Sequence, residues 1–268
     1  MKNNNQYQVR SVHRAISILK LFIKKPGSMS LTEISRETGL NQVTAYRLIS
    51  TFITNGLLEQ SAESEKYRLG VTALALGDSY SRSNDLSQRA RPKLVELRDE
   101  CGETVHLSIL DGKEIVYLEK LPGLHPIGLM SSRVGGRAPA YCTGVGKVLL
   151  AYQSEDKIRA ISSNGELIPF TPNTITSVDQ LIGELSIIRM NGFALDKEEH
   201  EIGVACVAAP IFDHNGILAA ISVSGPYDRI MKSAQLLTKQ AMQIAGEISI
   251  LFGGMLKSRS TASPTSKD

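Results

Sequence analysis

The sequence predicts an α+β protein with two domains, a small winged helix-turn-helix domain at the N-terminus and a larger α+β domain after it. Three observations lead to this fold class. A helix, a tight turn, a second helix and a two-stranded ribbon follow one another between residues 31 and 70. From residue 104 onward, strand patterns alternate with helical ones and include a clear hairpin. A length of 268 residues is comfortable for two hydrophobic cores.

A first helix is expected over residues 11–23, ahead of the helix-turn-helix. Its apolar side chains recur at helical spacing and predict one buried face. That face comprises Val12, Ala15, Ile16, Leu19 and Ile23. Residues 1–10 are polar and are expected to form a disordered arm.

The helix-turn-helix carries its own start and stop signals. Its first helix begins near Leu31 and is expected to end at Gly39, because a residue that tolerates positive φ commonly follows the last helical turn. Asn41 can then cap the second helix, and Asn55-Gly56 closes it. The inner face of this second helix is predicted to consist of Ala45, Leu48, Ile49, Phe52 and Ile53.

Two short strands at 57–59 and 66–69, joined by a polar tip, complete the order of a winged helix-turn-helix. In that fold the second helix is shaped to enter a DNA major groove. We therefore expect a DNA-binding domain at 11–70 and a linker helix at 71–84.

The second domain is expected at 85–256, followed by a disordered tail at 257–268. Its strongest signal is a hairpin, in which apolar runs at 203–212 and 217–224 are joined by a turn that ends in Asn215-Gly216. The other expected elements are a helix at 86–101 with a kink at Pro92, strands at 103–110, 114–120 and 126–131, helices at 144–152 and 179–191, and a closing helix at about 231–255. An antiparallel sheet flanked by helices is the natural assembly.

Composition and charge limit the functional classes. The chain has no run of 18 or more apolar residues, and its N-terminus lacks the apolar core of a signal peptide, so a cytoplasmic protein without membrane contact is expected. The scattered Cys101, Cys142 and Cys206 suit reduced thiols. The first 80 residues contain 10 Lys/Arg and 6 Asp/Glu, a net charge of +4, against −1 for the remainder. This excess favours a DNA-reading head, and random scatter of a few charges is the alternative.

Several segments, taken together, resemble the IclR family of bacterial transcriptional regulators. The family signature region is visible in GFALDKEEHEIGVACVAAPIFDHNG, which runs from Gly192 to Gly216. Further matching pieces, in order, are SVHRAISIL, YRLG, GGRAPAYCTGVGKVLLA and ISVSGP, so the resemblance covers roughly residues 11–255. It implies a winged-helix head, a linker helix and a GAF/PAS-like effector-binding domain, in a homodimer or a dimer of dimers. The function it implies is a ligand-responsive regulator, here expected to repress a catabolic operon, with no catalytic residues, metal or cofactor.

The second helix of the helix-turn-helix is predicted to read base edges through its exposed N-terminal residues. These residues are Gln42, Val43, Thr44, Tyr46 and Arg47. Gln42 can bond adenine in bidentate fashion, Val43 can touch a thymine methyl group, and Arg47 can grip a phosphate or a guanine. Relatives often carry Ser or Thr, then Lys or Arg, then Ser or Pro where this chain has Asn41-Gln42-Val43, so the operator sequence stays open.

The wing adds two candidate DNA contacts. Lys66 and Arg68 lie two residues apart on one strand and therefore point the same way, although a plain solvated hairpin is nearly as good an interpretation. The resemblance adds Arg14 as a phosphate contact. One recognition helix reads only a few base pairs, so two heads on a palindromic double-stranded operator are expected. The apolar faces of the first helix and the linker helix are candidates for the contact between heads.

Three segments can converge on a small anion. The chain enters a helix at Gly144 and Val145, where the first N–H groups have no internal partner. Ser222 and Ser224 alternate on one strand and share a face, and Cys206 lies on the neighbouring strand. Glycines that serve only a turn, and a cysteine that is merely buried, remain the alternatives.

The resemblance implies that six residues line an effector pocket, namely Gly144, Val145, Asp196, Cys206, Ser222 and Ser224. The expected ligand is a small hydroxy or keto acid, a sugar acid or an aromatic acid. Because the carboxylate of Asp196 would repel an acid, it is expected to accept a hydrogen bond from a ligand hydroxyl, while the glycine turn holds the ligand carboxylate.

Two rival functions remain open from the residues. An enzyme or metal protein could use Asp196, His200 and Cys206, which lie close in sequence. The segment nevertheless contains neither a Cys-x-x-Cys nor a His-Glu-x-x-His motif. Alternatively, the winged helix could bind another protein instead of DNA. Turnover, metal content and salt-dependent binding to DNA discriminate among the three functions.

Overall fold

The computed structural model describes residues 9–124, 130–162 and 164–254, which divide into two compact units at the junction between Asn84 and Asp85. The first unit contains α1 (Arg10–Lys24), α2 (Leu31–Thr38), α3 (Gln42–Thr54), β1 (Leu58–Gln60), β2 (Tyr67–Leu69) and α4 (Val71–Ser83). The predicted arm at 1–10 and tail at 257–268 lie largely or wholly outside the described residues. No described helix combines the length and the apolar character that crossing a membrane requires.

The caps of the helix-turn-helix follow from single side chains. Gly39 ends α2 in the left-handed region, with φ of 67°. The Asn41 side chain accepts a hydrogen bond from the backbone N–H of Thr44 at 2.8 Å and so caps α3, as the sequence predicted. Ser30 and Glu33 form a capping box at the start of α2. These caps fix the angle at which α3 leaves the turn.

The buried face predicted for the first helix is wrong. Ile18 and Phe22 are the buried residues of α1, whereas Val12, Ile16 and Ile23 are exposed. The reason is that the apolar stripe of α1 is broad, so helical spacing alone fits two overlapping faces, and the flank that carries Ile18 and Phe22 packs in the core. Ala15 and Leu19 are half-buried. In α3 the predicted inner face holds for Ala45, Ile49 and Phe52, while Leu48 is half-buried and Ile53 is exposed.

The second unit is an antiparallel sheet with helices on both faces. Its strands are β3 (Thr104–Asp111), β4 (Glu114–Leu121), β5 (Arg137–Pro139), β6 (Ala194–Lys197), β7 (Val204–Asp213) and β8 (Gly216–Pro226), in the spatial order β5-β4-β3-β8-β7-β6. Its α-helices are α5 (Asp85–Cys101), α6 (Gly144–Ala151), α7 (Glu155–Arg159), α8 (Val178–Asn191), α9 (Tyr227–Lys232) and α10 (Ala234–Leu251). A short 3-10 turn (Ala140–Cys142) precedes α6.

Alternation along the strands divides the core into two layers. On β8, Ile221 and Val223 join the apolar cluster formed with α5 and α10, whereas Ala220 joins the cluster formed with α6 and α8. On β7, Val207 and Ala208 divide in the same way. Because successive side chains point to opposite faces, Ser222 and Ser224 lie on the same face of β8 as Ala220, the face toward α6. The candidate cavity lies on this side of the sheet.

Two predicted elements differ in the structure. Residues 125–129 lie outside the described part of the chain, and the remaining positions of the predicted strand at 126–131 are not in a strand. The edge strand is instead β5, which pairs with β4 and ends at Pro139, a residue suited to a sheet edge. The predicted closing helix is two helices separated at Ser233. Ile230 and Leu237, on either side of this break, pack in the same core.

Candidate functional site

The exposed face of α3 carries most of the residues predicted to read DNA. The side chains of Gln42, Val43, Tyr46 and Arg47 are exposed, and 71% of the Val43 surface is accessible. Thr44 is half-buried, and its backbone N–H is bonded to the cap residue. An apolar side chain held in solvent at the start of a helix suits contact with a thymine methyl group. The geometry of α3 is therefore that of a helix free to enter a groove.

The three basic candidates outside α3 differ in how accessible they are to DNA. Arg68 on β2 faces Glu59 on β1 and forms an ion pair at 2.5 Å between Nε and Oε1, because the two residues are register partners in the ribbon. Lys66 is exposed at the end of the wing tip. Arg14 on α1 is half-buried. The wing thus presents less unpaired positive charge than its sequence suggests.

In the second unit, the six predicted effector residues line one cavity between the sheet and the start of α6. The cavity has a volume of about 40 Å³. One water molecule needs roughly 10–15 Å³ by the same measure. The cavity therefore has room for a compact organic molecule. The other lining residues are His106, Tyr117, Met130, Ser132, Thr143, His200, Glu201 and Val204.

The first turn of α6 forms one wall of the cavity. Gly144 packs so closely that an added Cβ would lie 3.3–3.6 Å from the Cβ atoms of Ala208, Cys206 and Asp196. Gly146 is required for a different reason, since its Cβ would fall 2.2 Å from the carbonyl oxygen of Ala140. The close approach at Gly144 brings backbone N–H groups without intrahelical partners to the cavity wall. Such groups favour a negatively charged ligand.

The opposite wall is a cluster of hydroxyl groups around His106. Register pairs His106 on β3 with Ser222 on β8. Its Nδ1 lies 3.3 Å from Ser222 Oγ and 3.4 Å from Ser224 Oγ, and the two serine oxygens are 3.2 Å apart. Its Nε2 lies 2.9 Å from Ser132 Oγ. Burial, with the nearby ammonium of Lys120, lowers the pKa of His106 to about 3, so the imidazole is neutral.

Asp196 forms the third wall and is coupled to a buried ion pair. Its Oδ1 accepts a hydrogen bond from the Glu199 backbone N–H at 2.8 Å. Burial raises the pKa of Asp196 to about 7, against an opposing effect of that hydrogen bond. Lys147 on α6, 1% exposed, bonds Glu199 Oε1 at 2.5 Å and the Leu195 carbonyl at 2.8 Å. The positive charge of Lys147 is thereby paired with Glu199 inside the protein.

Several lining residues were missed in the sequence analysis. His106 looks like any alternating residue of a strand, and only the β3–β8 register places it opposite Ser222. Tyr117, Ser132 and Glu201 come from separate elements with no motif to join them. His200 also lines the cavity, so the rival triad of Asp196, His200 and Cys206 does meet there. However, among the described residues no three His, Cys, Asp or Glu side chains are arranged to hold a metal ion.

Family models match both the N-terminal and the C-terminal part of the chain. The family model described as the IclR helix-turn-helix domain matches residues 11–62, and the model described as the bacterial transcriptional regulator IclR C-terminal domain matches residues 78–250. Together they span most of the chain, and their boundary falls close to the junction between the two units.

The chain is similar to curated regulators over nearly its whole length. It is 37% identical over 239 residues to the HTH-type transcriptional regulator XynR of Escherichia coli (strain K12), covering 89% of this chain and 94% of that protein. It is 33% identical to the transcriptional repressor IclR of the same organism, covering 92% of each. A crystal structure of an IclR homolog complexed with 4-hydroxybenzoate from Microbacterium hydrocarbonoxydans matches with a TM-score of 0.79 and 23% identity, covering 90% of this chain and 98% of that one.

Proposed function

We propose that this chain, which belongs to the IclR family of bacterial transcriptional regulators, represses a catabolic operon in the cytoplasm. A small organic acid controls the repression. In this proposal two copies of the first unit bind a palindromic operator. The acid binds in the cavity of the second unit and changes the affinity for the operator. The related proteins carry names of regulators or repressors and not of enzymes.

One observation carries the ligand-sensing part of the proposal. The six residues that the sequence analysis assigned to an effector pocket come from α6, β6, β7 and β8, and they line a single cavity. The cavity combines free backbone N–H groups with the hydroxyl groups of Ser222 and Ser224. Neutral donors that line one cavity are suited to a carboxylate or another small anion.

The acid class has further support. The Microbacterium relative was crystallised with 4-hydroxybenzoate, an acid with a hydroxyl group. In this chain, Asp196 and the hydroxyl cluster provide hydrogen-bonding partners for such a second polar group on the ligand. Hydroxy and keto acids, sugar acids and aromatic acids with a hydroxyl group all supply the carboxylate and the second polar group, and the smallest of them suit the cavity volume best.

The DNA-binding part rests on α3. Gln42, Val43, Tyr46 and Arg47 are exposed together on one side of a helix whose opposite side is buried. Gln42 and Val43 are suited to base edges, and Arg47 to a phosphate or guanine. Arg14, Thr44, Lys66 and Arg68 are secondary candidates for contact with the DNA backbone. Arg68 must first leave its ion pair with Glu59.

Regulation requires that the acid prefer one arrangement of the paired heads. A ligand with equal affinity for both arrangements would change nothing. We infer that effector binding alters the spacing of two heads through their linker helices, in a homodimer or a dimer of dimers. A coupling of about 1.4 kcal/mol, within the usual range, changes operator affinity roughly tenfold.

The test combines DNA binding with a ligand screen on the full-length protein. Gel-shift assays at low salt use DNA upstream of the chain's own gene, with a shuffled duplex of equal length as the control. Thermal-shift assays use glyoxylate, lactate, gluconate and 4-hydroxybenzoate. Specific retention of the upstream DNA, and a change in that retention with the acid that raises the melting temperature, support the proposal. Failure to retain the upstream DNA above the shuffled duplex, with every acid, overturns it.

A further inference from the structure

The cavity is built for an acid, yet none of its described lining residues is lysine or arginine. The buried ammonium group of Lys147 on α6 is held by Glu199 and by the Leu195 carbonyl. Among the described lining residues, a carboxylate would therefore be held by neutral donors. They include backbone N–H groups at the start of α6 and the hydroxyl groups of Ser222 and Ser224, beside those of Tyr117, Ser132 and Thr143.

A serine hydroxyl serves a carboxylate only when its hydrogen points at the ligand. Each of these hydroxyls has one hydrogen, which can rotate toward any nearby acceptor. For Ser222 and Ser224 the alternative acceptors include each other's oxygens and Nδ1 of His106, all within 3.4 Å. Ser224 also has the sulfur of Cys206 within hydrogen-bonding reach. The protonation of that nitrogen decides whether the serines donate to the imidazole or remain free to donate to a ligand.

We propose that His106 is a positioning residue for the effector, which donates a hydrogen bond from its Nδ1–H to the serine pair and so turns the hydroxyl hydrogens of Ser222 and Ser224 toward the ligand carboxylate. This inference rests on the proposed function, because it concerns the same cavity. It assigns a role to a residue that the sequence analysis did not select.

The surroundings of the other ring nitrogen favour this tautomer. His106 Nε2 lies 2.9 Å from the hydroxyl of Ser132, which can donate to an unprotonated nitrogen. The Lys120 ammonium bonds the carbonyl oxygen of the same Ser132 at 2.5 Å. A positive charge on this side of the ring stabilises a lone pair there and places the proton on Nδ1. Burial keeps the ring neutral, since it lowers the pKa of His106.

The groups that face the ring come from four parts of the unit. Tyr117 on β4 contacts the ring at 5.0 Å between centroids with the two planes tilted by 50°, and Ser132 precedes β5. The acidic and ionisable groups around the same cavity are Asp196 on β6, His200 and Glu201 after it, and Cys206 on β7. Within the described part of the chain, the hydrogen-bond partners of the imidazole are Ser132, Ser222 and Ser224. These hydroxyls, together with the charge of Lys120, set its tautomer.

Two substitutions separate the two ring nitrogens. An asparagine amide lies close to the position of Nδ1, whereas a glutamine amide reaches the position of Nε2. His106→Asn therefore keeps a donor for the serine pair, and His106→Gln removes it. His214→Asn and His214→Gln are the matched controls, because His214 lies in the exposed turn between β7 and β8.

The measurement is the Kd, by calorimetry, of the acid among glyoxylate, lactate, gluconate and 4-hydroxybenzoate that stabilises the wild type most. We expect His106→Gln to weaken binding about tenfold or more, the effect of losing one hydrogen bond to a charged group. His106→Asn should stay within about threefold of the wild type, as should both His214 variants. Equal losses in the Asn and Gln variants, or no loss in either, would overturn the positioning role while leaving the effector site in place.

A second measurement needs no substitution at all. Nitrogen-15 spectra of the imidazole rings in the wild-type protein at pH 7 report which nitrogen carries the proton. The expected result for His106 is a protonated Nδ1 and an unprotonated Nε2. A proton on Nε2, or a doubly protonated ring, would overturn the inference. Failure of all four acids to bind the wild type would instead reject the proposed effector function, which keeps the two failures distinct.

Discussion

The Nζ atom of Lys147 lies 2.5 Å from Oε1 of Glu199, and both side chains are buried. The pair joins α6 to the turn after β6, and the backbone N–H of Glu199 in turn bonds Asp196. The second carboxylate oxygen of Glu199 has no hydrogen-bond partner among the described residues. A single ion pair thus supports two walls of the candidate cavity.

Removing one partner of this pair should destabilise the protein strongly. Lys147→Met leaves the Glu199 carboxylate buried without compensation, and the expected loss is about 3–5 kcal/mol in the free energy of unfolding measured with urea. The double variant Lys147→Met, Glu199→Gln should recover most of that loss. The control is Lys93→Met, which breaks the solvent-accessible pairs of this half-buried residue with Glu96 and Glu247 and should cost about 1 kcal/mol or less. A cost for Lys147→Met no larger than that of the control would contradict the assignment.

Arg47 should contribute one phosphate contact to operator binding. If so, Arg47→Ala reduces affinity and lowers the slope of log K against log salt by about one unit. Arg159→Ala removes the same charge from an exposed helix of the second unit and is the matched control. Equal slopes for the Arg47 variant and the wild type would place Arg47 outside the interface. Quantitative binding assays at four or more salt concentrations supply the slopes.

Ser222 and Ser224 should act on effector binding rather than on folding. Ser222→Ala and Ser224→Ala are each expected to weaken the binding of an acid effector by about 1.5–3 kcal/mol, because each removes a hydrogen bond to the charged carboxylate of the ligand. Ser108→Ala is a suitable control, since Ser108 lies on β3 with its hydroxyl buried but does not line the cavity. Calorimetry measures affinity, and thermal melts check folding. Wild-type affinity in the double variant would exclude the serine wall from the site.

Acid binding should weaken as pH rises through about 7, the value to which burial raises the pKa of Asp196. Above that pH the carboxylate is charged and repels an acid ligand. The same shift affects stability: the folded state holds the proton more tightly than the unfolded state, so the stabilisation from the protonated form is lost as pH rises toward 7.

Asp196→Asn should therefore flatten the pH dependence of acid affinity between pH 6 and 8 and raise the melting temperature more at pH 8 than at pH 5. Asp213→Asn is the matched substitution, because Asp213 is a half-buried residue at the end of β7 that does not line the cavity as described. A pH profile of Asp196→Asn that parallels the wild type would show that another group controls acid binding. Calorimetry across the pH range and thermal melts provide both readouts.

The exposed apolar residues of α1 and α4 predict a contact between heads. Ile16 is 46% exposed and Leu74 is 73% exposed, and α4 has no buried residue at all in this chain. Ile16→Asp or Leu74→Asp should reduce the oligomeric state in sedimentation experiments, from tetramer to dimer or from dimer to monomer. The reason is that a charge opposes burial of this apolar face. Val43→Asp, an equivalent change on α3, should leave the assembly intact while weakening DNA binding. An unchanged assembly in both variants would remove this face from the interface.

The sequence alone determined the order of elements in the first unit and the central hairpin of the second, and it predicted many candidate site residues. Local signals such as Gly39, Asn41 and the Asn215-Gly216 turn act within a few residues, so they specify caps and turns without help from the rest of the chain. The resemblance to a known family selected six residues that the structure brings to one cavity. The functional class followed from those patterns.

Only the tertiary structure decided which face of α1 is buried, that Arg68 is paired with Glu59, and that His106 stands between Ser132 and the serine pair. These features depend on strand register and on packing between elements distant in sequence, where no local pattern distinguishes one partner from another. The protonation of Asp196 was likewise undetermined, because burial sets it and burial is a property of the folded chain.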